Sequence, residues 1–193
     1  MKVSRKSIEP EVVRRREVIK ASLGICLGLC ASQTLAQTDP GTSPVAGDLL
    51  VYASGEKAEQ PILINEVALN KALNAFPMDP ASKTVKKDAK SMLILVRLDP
   101  KAFDANTAKH TAAGIVAYSA ICTHQGCPIS QLGEVGSRKG KLVCTCHGAV
   151  YDPAAGAKVL GGQAKRPLAL LPIKQQGQNL VVAGSFIGKV GAD

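Results

Sequence analysis

Two short segments that hold cysteine and histidine side by side constrain this chain more than any other feature. The first reads CTHQGC over residues 122–127, and the second reads CTCH over residues 144–147. Nineteen residues separate His124 from Cys144, and each segment follows a short apolar run typical of a β-strand. We therefore expect two loops, each carrying side chains that bind metals or form disulfides.

Three kinds of site could use these residues. The four cysteines could form two disulfides, but the histidine beside a cysteine in both segments would then be an accident. Two cysteines and two histidines could bind a structural zinc ion, although C-x-H followed by C-x-C-H is not the usual zinc-finger spacing. In the third case, two cysteines hold one iron of a [2Fe–2S] cluster and two histidines hold the other iron.

The two segments resemble the two boxes of the Rieske iron–sulfur proteins, C-x-H and C-x-x-H, with the extra cysteine per box that marks the respiratory type. The resemblance covers about residues 114–173. It implies one [2Fe–2S] cluster per chain, with Cys122 and Cys144 on one iron and His124 and His147 on the other. It also implies a disulfide between Cys127 and Cys146. The fold implied is all-β, with small antiparallel sheets and a cluster-binding subdomain of two loops.

Residues near the boxes depart from the cytochrome bc1 members of this family. Tyr151 matches the family tyrosine that bonds a ligand sulfur, but Ala149 replaces the serine that bonds a bridging sulfide in high-potential members. The Pro-rich loop that shields the cluster in those members reads GGQA here, over residues 161–164. The gap of nineteen residues between the two boxes is longer than is usual in the family, and we expect an enlarged hairpin tip over residues 130–141 to account for the extra length. GGQA and IVAYSAICTHQGCPIS are similar to the small subunit of arsenite oxidase, whereas CHGAVYD is nearer the bc1 form.

The N-terminal residues predict export. Seven of the 24 Lys and Arg lie in residues 1–20, and a short apolar segment follows over residues 21–36. The run RRREVIK, with Arg15 and Arg16 as its pair, resembles the twin-arginine export signal. This predicts a cleaved signal over 1–36 and a periplasmic protein; the alternative is an uncleaved helix that anchors the chain to the inner membrane.

The remaining residues predict a linker over 37–47 and a Rieske domain over 48–193. Hydrophobic residues make up 46% of the chain, enough for a core, whereas 3% aromatic residues argue against a nucleic-acid stacking platform. Residues 66–76 have helical apolar spacing and predict a short helix that ends at Pro77. We expect an exposed loop over 79–90, in which Lys86 lies on a solvated face. Short strands are predicted over 49–52, 62–64, 92–98, 115–119, 142–143, 150–151, 168–173 and 180–182.

The resemblance implies one-electron transfer by a subunit of an oxidoreductase complex, rather than by a catalyst acting alone. We expect the small subunit of a periplasmic oxidoreductase of arsenite oxidase type, with a larger molybdopterin subunit and a cytochrome c or similar acceptor as partners. The alternatives are the iron–sulfur subunit of a ubiquinol–cytochrome c reductase, with cytochrome b as partner, and a freestanding periplasmic carrier. No nucleic-acid partner is expected, and membrane contact is expected only if the leader is uncleaved.

Overall fold

The computed structural model of this protein describes residues 41–192; the predicted export signal and the first part of the predicted linker lie outside them. Within the described residues, strands dominate and the single α-helix is one turn long, so the predicted all-β fold class is confirmed. The strands are β1 (Leu49–Tyr52), β2 (Ala72–Met78), β3 (Leu93–Arg97), β4 (Ile115–Ser119), β5 (Leu142–Val143), β6 (Val150–Asp152), β7 (Lys158–Gly161), β8 (Leu170–Leu171), β9 (Ile173–Gln176) and β10 (Asn179–Val182), and the helix is α1 (Ala105–Ala108). No helix in this part of the chain is long and apolar enough to cross a membrane.

Seven strands form an antiparallel sheet in the order β8-β4-β3-β2-β1-β10-β9. The two edge strands, β8 and β9, are separated in the chain only by Pro172. Since consecutive Cα atoms lie 3.8 Å apart, the sheet must curl until its two edges are close. Its apolar interior includes Leu50, Leu95, Ile115 and Leu180, all with no exposed surface.

A smaller antiparallel sheet has the strand order β5-β6-β7. This sheet and strand β4 of the larger sheet carry the cysteine and histidine segments. The first segment follows β4, and the second connects β5 to β6. A second core cluster joins the two sheets and includes Tyr118 and Tyr151, which are fully buried. The Tyr118 hydroxyl donates to the Pro153 carbonyl at 2.9 Å, so its one polar atom is satisfied inside this core.

The helix predicted over residues 66–76 is wrong. The structure instead has a 3-10 turn at Ile64–Glu66 and then strand β2, which pairs with β1 on one side and β3 on the other. Residues 75–78 are all buried, because β2 is a central strand of the curled sheet. A strand that is covered on both faces reads as a continuous apolar run, which spacing alone does not distinguish from a buried helix.

The loop over residues 79–90 is largely exposed, but Lys86 is not on a solvated face. Its side chain is 6% exposed, and its ammonium donates to the Asp48 carboxylate at 2.6 Å. Asp48 is itself 2% exposed and also accepts from the N–H of Val45. This buried ion pair fastens residues 45–48 to the loop, which no local pattern in the sequence could reveal.

Candidate metal centre

The two cysteine–histidine segments fold into loops with the same backbone hydrogen bonds. In the first loop, residues 122–127, the N–H of Cys122 donates to the carbonyl of the last residue at 2.8 Å, and the N–H of Gly126 donates back to Cys122 at 2.9 Å. In the second loop, residues 144–149, the equivalent bonds are 2.9 and 3.0 Å long, and Gly148 stands where the first loop has its glycine. These glycines have φ of +75° and +70°, a left-handed conformation that glycine adopts without a Cβ penalty.

A disulfide joins the two loops. It links Cys127, the last residue of the first loop, to Cys146, the third residue of the second, with their Cα atoms 6.6 Å apart. Its two sulfurs and the sulfur of Cys144 all lie within 4.8 Å of one another. Because a disulfide sulfur is not a thiolate donor, the sulfur available to a metal in this group is that of Cys144.

The other two cysteines of the loops, Cys122 and Cys144, are free thiols, each about 1% exposed. Burial raises the pKa of the Cys144 thiol, and a side-chain hydrogen bond with Cys122 adds to the increase. A metal that binds the Cys144 sulfur must therefore displace its proton, since the thiolate is the ligand form.

The two histidines of the loops face each other. The ring centroids of His124 and His147 are 4.8 Å apart, with the rings perpendicular. His147 is exposed and His124 is partly buried. Within the described residues, Nδ1 of His124 is a buried nitrogen without a hydrogen-bond partner, which is costly unless another group binds it.

These donors fit a [2Fe–2S] cluster of mixed ligation. The loops hold two free, buried thiols, and their two imidazole rings lie against each other with centroids 4.8 Å apart. One imidazole has a buried nitrogen that lacks a partner in the described part of the chain, as expected for a nitrogen that binds metal. Two cysteines and two histidines are the ligand set in which imidazoles replace thiolates on one of two irons.

Tyr151 connects the first loop to β6. Its hydroxyl lies 3.2 Å from Sγ of Cys122 and 3.1 Å from Oγ1 of Thr123, and it accepts from the Thr123 N–H at 3.3 Å. The Thr123 hydroxyl donates to the Arg166 carbonyl at 2.8 Å. Burial, followed by the hydrogen bond to Cys122, raises the pKa of Tyr151 to about 12, so the phenol keeps its proton at neutral pH.

The GGQA segment over residues 161–164 covers one side of the loops. A Cβ added at Gly162, where φ is +83°, would lie 2.5 Å from Cα of Ala149, so glycine is required there by both conformation and space. Together with Thr123, His124 and Lys165, residues 162–164 line an open hollow beside the first loop. Ala149 itself is fully buried beneath it.

The structure places the site residues named from the sequence on two disulfide-linked loops and on β6, with His124 facing His147 and the Tyr151 hydroxyl close to the Cys122 sulfur. Sequence reasoning missed two residues, Thr123 and Arg166, that connect to this site through hydrogen bonds. Thr follows the first cysteine in both loops, and this repeat was a signal that could have drawn attention to Thr123. Arg166 contributes a backbone carbonyl, which any residue type could supply, so its identity carried no signal.

An all-β domain that presents two thiols and two imidazoles on disulfide-linked loops defines a small iron–sulfur electron-transfer protein. The sequence matches the Rieske [2Fe-2S] domain family over residues 80–173. It is 33% identical over 150 residues to the cytochrome bc1 complex Rieske iron-sulfur subunit of Streptomyces lividans, covering 75% of this chain and 85% of that protein. The chain belongs to the Rieske iron–sulfur family, which implies a [2Fe–2S] cluster and one-electron transfer through it.

Two further similarities are to proteins of other kinds of organism. The chain is 35% identical over 154 residues to a putative respiratory nitrate reductase subunit Rieske of Haloferax mediterranei, covering 78% of this chain and 64% of that protein. The plasma membrane Rieske protein PetC3 from Synechocystis PCC 6803 is similar in structure, with 27% identity and a TM-score of 0.35, over 56% of this chain and 84% of that chain.

Proposed function

We propose that this chain is the electron-transfer subunit of a periplasmic oxidoreductase of arsenite oxidase type, and that its two loops hold the cluster. The observation that carries the ligand assignment is that two loops joined by a disulfide present two buried free thiols and two facing imidazoles, one of them with a buried nitrogen lacking a partner among the described residues. The proposed ligands are Cys122 and Cys144 for one iron and His124 and His147 for the other. When bound, the cluster accepts and releases single electrons.

The residues of this chain divide the remaining tasks. The disulfide holds the two loops together, and the segment over residues 161–164 packs against the second loop, where Gly162 lies close to Ala149. A Cys122 sulfur bound to iron would accept from the Tyr151 hydroxyl, 3.2 Å away, and this hydrogen bond would favour added negative charge on the sulfur. His147 is the exposed donor, so its imidazole is the natural place for a redox partner to approach.

Iron and acid-labile sulfide analysis of the purified protein tests the cofactor and its ligands. We expect two irons and two sulfides per chain, with the electron paramagnetic resonance spectrum of a cluster with mixed cysteine and histidine ligands after reduction. One zinc ion per chain and no sulfide would instead support a structural zinc site with the same donors.

Two features near the loops support the arsenite oxidase type. Ala149 offers no hydroxyl where the high-potential bc1 members are expected to have a serine, and GGQA replaces their Pro-rich loop. The second candidate is the iron–sulfur subunit of a quinol–cytochrome c reductase, which the 33% identity to the Streptomyces bc1 subunit favours. Purification of the tagged chain from its native cells distinguishes the two candidates: we expect a large molybdopterin subunit to accompany it, whereas cytochrome b would identify the second.

The periplasmic location is part of the proposal and rests on residues 1–36 alone. Replacing Arg15 and Arg16 by lysine keeps the charge but removes the guanidinium pair. We expect export to fail, with cluster-loaded protein retained in the cytoplasm. Unchanged export of the double variant, measured by cell fractionation, would rule out the twin-arginine route.

A further inference from the structure

The polar groups around the Tyr151 hydroxyl include more hydrogen-bond acceptors than protons available to them. The Arg166 carbonyl can only accept, so the Thr123 hydroxyl spends its single proton on the 2.8 Å bond to that carbonyl. Thr123 Oγ1 then faces the Tyr151 hydroxyl, 3.1 Å away, as an acceptor. The Tyr151 oxygen already accepts from the Thr123 N–H, so its own proton is what remains to be shared.

Two acceptors compete for that one proton. A Cys122 sulfur that binds iron is a thiolate, which carries no proton and accepts. It lies 3.2 Å from the Tyr151 hydroxyl, while the Thr123 oxygen lies 3.1 Å from it. Both contacts are shielded from water, because Tyr151 is fully buried and Thr123 is 5% exposed.

We propose that the Thr123 hydroxyl tunes the reduction potential by drawing the Tyr151 proton away from the Cys122 sulfur. This inference rests on the proposed function, in which Cys122 is a cluster ligand. A hydrogen bond to a ligand sulfur favours the reduced state, because reduction adds negative charge to the sulfur. Sharing the proton with Thr123 weakens that bond, so Thr123 lowers the potential. Thr123 is a positioning residue that acts through Tyr151.

The second loop offers a matched position. Thr145 also follows the first cysteine of its loop, but its side chain is exposed, whereas Thr123 is buried against Tyr151 and Arg166. The two threonines therefore occupy the same place in the same backbone, and the first is the one within reach of the tyrosine. A substitution at position 145 changes the loop sequence equally without touching this network.

The test is voltammetry of the cluster-loaded, full-length protein carrying Thr123→Val, with Thr145→Val as control. Removing the competing acceptor returns the Tyr151 proton to sulfur. We expect the equilibrium constant for reduction to rise by roughly threefold to tenfold, the equivalent of one neutral hydrogen bond. At 59 mV per tenfold for one electron, this is about 28–59 mV. Thr145→Val and Thr123→Ser should leave the potential unchanged.

Two further variants test the same inference. In a Tyr151→Phe background, Thr123→Val should leave the reduction potential unchanged, because the proton that the two acceptors share is absent. Thr123→Ala removes the hydroxyl with less bulk, and it replaces the valine variant if that one does not load the cluster. An unchanged or lower potential in loaded Thr123→Val or Thr123→Ala protein would overturn this inference while leaving the cluster assignment intact. Absence of iron from the wild-type protein would overturn the proposed function itself.

Discussion

The two cysteine–histidine loops share one backbone but not one environment. Both close with the same pair of backbone hydrogen bonds around a left-handed glycine. In the first loop the second residue, Thr123, is buried and bonded to β6 and to the Arg166 carbonyl. In the second loop, residues 145–147 are all exposed.

This difference shows that the backbone of each loop positions donors, while the surrounding structure decides what each loop does with them. The first loop is held against the core, where water screens electrostatic interactions weakly. A single hydroxyl there can therefore alter the energy of a nearby charge. The second loop opens to solvent and leaves His147 exposed. Under the proposed function, the first loop would tune the cluster and the second would meet the redox partner.

The largest effect should come from removing a ligand, and it should not depend on which loop is changed. Both Cys122→Ser and His147→Ala should lose the cluster, because each iron needs donors from both loops and a missing ligand leaves it under-coordinated. Iron and sulfide analysis measures the result. His110→Ala changes the remaining histidine, outside both loops, and should keep the full iron content. Retention of two irons in either loop variant would refute the shared site.

Cutting the disulfide should uncouple the loops and have the next largest effect. Replacing Cys127 and Cys146 by serine should lower the free energy of unfolding by about 2–4 kcal/mol, less whatever the bound cluster already holds. Chemical denaturation of the loaded protein measures the change. Mass spectrometry of the non-reduced wild type is the companion measurement, and two free thiols at these positions would contradict the pairing.

Hydrogen bonds toward the cluster should shift its potential in opposite directions when one is removed and another added. A hydrogen bond to a charged group is worth roughly 1.5–3 kcal/mol, equivalent to roughly 60–130 mV for one electron. Tyr151→Phe should lower the potential within this range, and Ala149→Ser should raise it by supplying a second donor. Protein-film voltammetry measures both. A wild-type potential at the top of the Rieske range that Ala149→Ser does not move would favour the quinol-oxidising candidate.

The smallest effect tests whether the two backbones are equivalent. Gly126→Ala and Gly148→Ala should each lower the free energy of unfolding by about 1–2 kcal/mol, because alanine is strained at positive φ. An added Cβ would meet its nearest neighbour at 3.9 Å or 3.8 Å, so no clash adds to this cost. Gly161→Ala, with negative φ and nothing within 4 Å, is the control and should cost little. Clearly unequal losses of unfolding free energy at positions 126 and 148 would contradict the equivalence of the two loop backbones.

Part of the fold followed from local sequence alone. The predicted runs at 49–52, 115–119 and 142–143 coincide with β1, β4 and β5, because β-branched and apolar residues there are bounded by turn residues. The run predicted over 168–173 is divided at Pro172 into β8 and β9, which lie at opposite edges of the sheet. Strand β7, with its two exposed residues, has no apolar run and was not predicted.

What the sequence by itself determined is the set of donors and the loops that hold them. Within residues 122–127 and 144–149, the cysteine, histidine and glycine of each loop lie a few positions apart in the chain, so their pattern can be recognised from the sequence directly. Tertiary structure alone decided which neighbours those donors meet. The Thr123–Tyr151 contact spans 28 residues and the Thr123–Arg166 contact spans 43. Contacts at such separations depend on how the two sheets pack, and no local pattern records them.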